Sequence, residues 1–238
     1  MPSAPPQVIA MHGWSGVASN WDPWRQAFTT RGWHWQSGER GYGAATPQIP
    51  DWSDRGRRVV IAHSMGVHLL PAERLAEAEA VVLLASFGRF VPPGAPGRRL
   101  RSALEAMATQ LQDAASAREM LRSFQREAAA PEPEELVPPG AAAGPLGEPQ
   151  RQCLRDDLQR LGRTDGLPDG FPTGIPVLSV EAAQDRIVVP EARALLCHDL
   201  EDRGAEVHRL TLEDAGHCLL QPGVVGAVLQ WLQPRVAP

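Results

Sequence analysis

Ser64 stands in Val59-Val60-Ile61-Ala62-His63-Ser64-Met65-Gly66, where an apolar, strand-like run meets a serine and helical material follows at once. A serine hydroxyl is a weak nucleophile. A tight strand-to-helix turn makes it useful by lifting it above a sheet and turning a helix amino end toward it. Such a turn needs small neighbours so that backbones can pass. Gly66 fits, and Ala62 replaces the first glycine of G-x-S-x-G at the expense of one methyl. A serine capping an ordinary helix gives the same local pattern, so the reading depends on a base and an orienting acid elsewhere. His217 ends Asp214-Ala215-Gly216-His217, between the last strand-like run and the last helix. Asp185 lies in Gln184-Asp185-Arg186-Ile187-Val188, just past the preceding run. The chain order Ser64, Asp185, His217 supplies a nucleophile, an orienter and a general base for acyl transfer. His12-Gly13-Trp14 follows the first apolar run, and the backbone N–H groups of Trp14 and Met65 are the natural pair to hold an oxyanion. With His217 as base, His12, His63 and His68 are expected to brace loops.

The elements that position these residues follow from pattern. Short strand-like runs at 8–11, 33–36, 59–63, 80–85, 177–180 and 207–212 read as strands. Helical spacing covers 21–30, with Asn20 or Ser19 as cap. It also covers the stretch from Ser64 to about residue 78, kinked or shifted at Pro71, and then 190–203 and 223–232. This alternation predicts an α/β protein with a mostly parallel sheet of about six strands. Residues 89–173 break it. Leu100, Leu104, Met107 and Leu111 are helically spaced, as are Leu154, Leu158 and Leu161, with a Pro-, Ala- and Gly-rich loop at 131–150 between them. The expectation is a core of residues 1–88 and 174–238 and a helical lid at 89–173 over the carboxyl edge of the sheet. Beside the elbow strand, Phe87 and Phe90 are expected to form a narrow apolar slot with Trp14 and with Phe124 or Met120 of the lid; packing of the lid onto the sheet is the alternative role.

With 238 residues and 43% hydrophobic content, the chain suits one α/β domain with a real core. A net charge of −5 gives no reason to expect nucleic acid, and all 23 basic residues are arginine. Apolar runs fall far short of a membrane span, and Met1-Pro2-Ser3-Ala4 lacks a secretory n-region. Cys153, Cys197 and Cys218 form no disulfide framework. A cytoplasmic monomer without metal or organic cofactor is expected.

The elbow, the two later loops and the His12-Gly13-Trp14 turn together resemble the α/β-hydrolase family, as does Glu39-Arg40-Gly41-Tyr42-Gly43, which is similar to that family's Asp-x-Arg-Gly-x-Gly turn. An oxyanion loop only twelve residues from the start implies a trimmed form of the fold. Gly13-Trp14-Ser15-Gly16 through Gly32-Trp33-His34-Trp35-Gln36-Ser37-Gly38 to Gly43 resembles the pimeloyl-acyl-carrier-protein methyl ester esterases of biotin synthesis, in their short cyanobacterial form. That resemblance implies an acidic carrier protein as partner and a basic docking surface. Arg118 and Arg122 of one lid helix, with Arg151 and Arg155 of the next, are its candidates, against the simpler reading of a solvated lid. A general short-chain carboxylesterase or an acyl-carrier thioesterase is the alternative, followed by a noncatalytic ligand-binding member of the fold.

Overall fold

Six strands, β1 (Gln7–Met11), β2 (His34–Ser37), β3 (Arg58–His63), β4 (Ala80–Leu84), β5 (Pro176–Ala182) and β6 (Glu206–Leu212), form one sheet in the order β2-β1-β3-β4-β5-β6. Every pairing is parallel, so all carboxyl ends share one edge. The structure, a computed structural model, describes residues 4–53, 55–219 and 221–236. Residues 1–3, on which the expected lack of a secretory leader partly rests, lie outside them. Among the described residues no helix is long and apolar enough to cross a membrane.

The continuous Val, Ile, Leu and Ala runs of β1, β3 and β4 are buried because helices cover both faces of the sheet. Successive side chains alternate between two cores. Ile9, Met11, Val60, Ala62, Val81 and Leu83 share one core with α3 (Ala72–Ala76), α7 (Pro190–Asp202) and the lid; Val8, Ala10, Val59, Ile61, Val82 and Leu84 share the other with α1 (Asp22–Thr29) and α8 (Val224–Val236). Edge strand β6 is half-exposed, and its Arg209 makes two 2.9 Å bonds to Glu181 of β5.

Residues 89–173 contain, among those described, no strand and three long helices: α4 (Gly94–Gln110), α5 (Ala114–Ala129) and α6 (Glu148–Arg163). Their helically spaced leucines, Leu104, Leu111, Leu154, Leu158 and Leu161, are buried against the sheet core. Asp113 caps α5, accepting the Ser116 N–H at 2.8 Å. Two local expectations fail. Asn20 caps no helix: its side chain accepts the Val17 N–H inside a 3-10 turn, Ala18–Trp21, and α1 begins only at Asp22. Pro71 breaks rather than kinks the helix after Ser64, leaving α2 (Gly66–Leu69) at four residues and serving as the extended residue before α3. A helix that short has little macrodipole, so individual N–H groups must do the work at Ser64.

Candidate active site

Ser64 is the first residue beyond β3, with φ +54, a conformation costly for a residue with a side chain. The end of β4 holds it there. The Ser64 N–H donates to the Leu84 carbonyl at 2.8 Å, and the buried Ser86 hydroxyl donates to the Ser64 carbonyl at 2.6 Å. Ser86 carries no motif signal. The oxyanion loop passes so close that a Cβ on Gly13 would sit 2.9 Å from Ser64 Cβ. On the other side, a Cβ on Gly66 would sit 2.3 Å from the Met11 carbonyl oxygen. Ala62 is buried within β3.

The structure brings Ser64, Asp185 and His217 together. His217 Nε2 lies 3.0 Å from Ser64 Oγ, and His217 Nδ1 lies 2.8 Å from Asp185 Oδ2. The other Asp185 oxygen accepts the N–H groups of Ile187 at 2.7 Å and Val188 at 2.9 Å. Burial pushes the Asp185 carboxyl up, but the His217 imidazole and these N–H donors outweigh it and hold the group below its ordinary value. An ionised Asp185 keeps the imidazole proton on Nδ1, which leaves Nε2 free to accept from the serine. His63 braces the arrangement from behind. Its Nε2–H donates to the His217 carbonyl at 2.9 Å, and the two rings lie 5.0 Å apart. Burial, then repulsion from His217, push its pKa down to about 4, so it stays neutral beside the relay.

The N–H groups of Trp14 and Met65 flank the serine and, among the described residues, donate to no protein acceptor. The loop carrying Trp14 is tied down. His12 Nδ1 donates to the Gly13 carbonyl at 2.8 Å, and its Nε2 accepts the Arg40 N–H at 3.2 Å. The buried Glu39 carboxylate accepts the N–H groups of Ala18 and Gly41, each at 2.8 Å. Burial raises Glu39, yet His12 and these donors hold it below its usual value. The turn that follows reaches the lid. Arg40 donates twice to Asp157 of α6, at 2.6 and 3.0 Å, and the Tyr42 hydroxyl donates to the same carboxylate at 2.7 Å. Asp157 is fully buried. Burial first, then Asp157, push the Tyr42 phenol well above its usual value. Trp14 Nε1–H donates to the Leu154 carbonyl at 3.0 Å, so α6 is tied both to the oxyanion loop and to the turn that braces it. His68 donates to the Phe87 carbonyl at 2.9 Å and stays on the far side of the elbow.

A cavity of about 410 Å³ opens onto Ser64 and His217 and includes Trp14 and Phe124 in its wall. Phe87, Phe90 and Met120 do not line it, which corrects the expected slot. Phe87 is wholly buried, stacked 5.2 Å from His68 and edge-on to Phe90 at 5.0 Å, so both rings pack the sheet against the lid. Met120 faces a separate outer groove. Three of the four arginines expected on a basic docking face also make bonds within the lid. Arg118 donates to the carbonyls of Ala142 and Gly144, Arg151 to Leu146 and Arg155 to Leu111, and Glu148 pairs with both Arg151 and Arg155. These guanidiniums tie lid segments together; of the four, only Arg122 is exposed.

No protein-family model and no curated protein sequence matches the chain. Among solved structures it is similar to an esterase from Exiguobacterium antarcticum, with 15% identity and TM-score 0.69 over 97% of this chain and 93% of that one. It is also similar to a thermophilic esterase from Thermogutta terrifontis, with 16% identity and TM-score 0.67 over 99% and 92%. The chain has the α/β-hydrolase fold. An enol-lactonase from Burkholderia xenovorans LB400 shares it at 16% identity and TM-score 0.66 over 96% and 92% of the two chains. At such identities the likeness carries the fold and leaves the substrate open. The α/β-hydrolase fold explains why loops 153 residues apart in sequence, those of Ser64 and His217, meet: parallel strands deliver both to one edge.

Proposed function

We propose that this protein is a serine hydrolase that cleaves carboxylic esters through an acyl-enzyme. The observation that carries the reading is the unbroken relay Ser64 Oγ, His217 and Asp185, at 3.0 and 2.8 Å, beside two unused backbone donors. Ser64 Oγ attacks the ester carbonyl while His217 Nε2 takes its proton. The carbonyl oxygen becomes an oxyanion and accepts from the Trp14 and Met65 N–H groups. Collapse expels the alcohol, which leaves with the proton from His217. A water then attacks the acyl-serine, giving its proton to His217, and the carboxylic acid departs as Ser64 regains its hydrogen. Asp185 stabilises the imidazolium formed in each half-reaction, and neutral His63 adds no opposing charge. A fluorophosphonate tests this directly: it should label Ser64 alone, with loss of the labelling in Asp185→Asn at equal exposure times. Absence of labelling at Ser64 in the folded protein rejects the reading.

Within it, the resemblance of residues 13–43 to the pimeloyl-acyl-carrier-protein esterases supports a narrower one, in which a cytoplasmic enzyme hydrolyses the methyl ester of that carrier-bound acyl chain. Of the four candidate arginines, Arg122 is exposed and the other three are half-buried with bonds inside the lid, so Arg122 is the one most open to an acidic carrier. A carrier-bound methyl ester turned over at least 100-fold faster, in kcat/KM, than the same ester without carrier supports the narrower function. Equal rates favour the general carboxylesterase.

A further inference from the structure

The cavity beside Ser64 has no fixed charge in its wall, and its histidines, His12, His63 and His217, are spent on the oxyanion loop and the relay. Among the described residues its wall holds no Asp, Glu, Arg or Lys. Asn20, one of its few polar members, is spent internally, accepting the Val17 N–H and donating to the Pro139 carbonyl, each at 2.9 Å. A carboxylate or phosphate inside would lose its water and gain no counter-charge. The cavity therefore suits an apolar arm. At about 410 Å³ it falls in the size range of pockets that take small apolar ligands. Pro222 and Leu136 of its wall are exposed to solvent, Leu136 by 59%. Phe124 also stands in its wall. That ring also lines the outer groove of about 780 Å³, with Met107, Met120 and Ile187. A residue shared by two hollows is the partition between them. Phe124 stands edge-on to Trp14, centroids 5.0 Å apart at 90°, and Trp14 is itself pinned to α6 through Leu154.

Resting on the serine-hydrolase reading above, we propose that the substrates are uncharged esters with an unbranched apolar arm, and that Phe124 is the specificity-determining stop that sets the arm's length. Each methylene buried before the stop raises kcat/KM by about fourfold, the worth of one buried CH₂; beyond it the gain ends. With the ring removed, the arm passes into the outer groove and meets Met107, Met120 and Ile187.

The test is a series of p-nitrophenyl esters from two to twelve carbons, with the hemiester of a dicarboxylic acid as the anionic member, on wild type, Phe124→Ala and Phe124→Leu. Wild type should climb with length, stop at middle lengths and turn over the hemiester at least 100-fold more slowly than its neutral counterpart. Phe124→Ala should move the optimum up by at least two carbons, with Phe124→Leu between. Unchanged profiles in both variants overturn the stop, as does uniform loss at every length with an unchanged melting temperature. If Phe124→Ala unfolds, Phe124→Leu alone decides. Comparable turnover of the hemiester overturns the uncharged class. Thermal shifts with straight-chain methyl ketones of the same lengths, read on the same three proteins, separate the two claims. Length-dependent stabilisation that ends at the stop, without any ester turnover, keeps the pocket and rejects the hydrolase; turnover flat with length does the reverse.

Discussion

Replacing His63 by Gln should remove a defined part of the protein's acid sensitivity. In the fold, His63 is half-buried against His217 and takes a proton only near about pH 4, against 6.5 for a free imidazole. Its folded value is depressed, so below pH 6.5 the unfolded chain binds the extra proton first. Stability is then lost as pH falls from 6.5 toward 4 and is level above 6.5 on this account. At about 1.4 kcal/mol per pH unit, the full window amounts to about 3 kcal/mol. Asp185 and Glu39 are also depressed, from 3.8 and 4.5, but their contributions are lost at still lower pH and stay outside a comparison made between 6.5 and 5. Urea unfolding at half-unit steps in that range is the assay. Gln keeps an N–H that can reach the His217 carbonyl but cannot titrate. Wild type should lose stability more steeply than His63→Gln by about 1 kcal/mol per pH unit. Parallel slopes would refute the claim that His63 is held neutral by burial.

Asp157→Asn should cost about 2 to 3 kcal/mol in chemical denaturation, below the range for a wholly buried pair because Arg40 remains 33% exposed. It should also lower ester turnover, since α6 and the Glu39–Gly43 turn brace the oxyanion loop; unchanged stability would contradict the clamp. Gly13→Ala places a methyl 2.9 Å from Ser64 Cβ, and should lower kcat/KM by about 100-fold with a melting temperature within a few degrees of wild type. Phe87→Ala should cost about 3 to 5 kcal/mol in stability, as a fully buried ring, and leave the chain-length profile where it was. A changed profile would return Phe87 to the pocket.

The four inner strands and the helical segment between residues 89 and 173 were legible because each of those strands is an apolar run and α4 and α6 repeat leucine or methionine every three or four residues. The shared edge of Ser64, Asp185 and His217 was legible for the same reason: each follows a strand, and parallel strands end together. Direction around that edge was not legible. Phe87 follows β4 as closely as Ser64 follows β3, yet the chain turns its ring into the core, where His68 and Phe90 receive it. Spacing placed Arg118 and Arg122 on one face of α5 but could not show that the 140s loop packs onto that face and supplies carbonyls to Arg118. Asp157 was missed because its partners, Arg40 and Tyr42, lie more than a hundred residues away. Its one sequence signal is an acid among the buried positions of an amphipathic helix.

The central claim is that Ser64 is the nucleophile. It is tested most directly by kcat/KM for p-nitrophenyl butanoate in wild type and Ser64→Ala, with melting temperatures recorded on the same preparations. The account predicts a loss of at least 10³-fold with the fold intact. Ser64→Ala turning the ester over at the wild-type rate would contradict it.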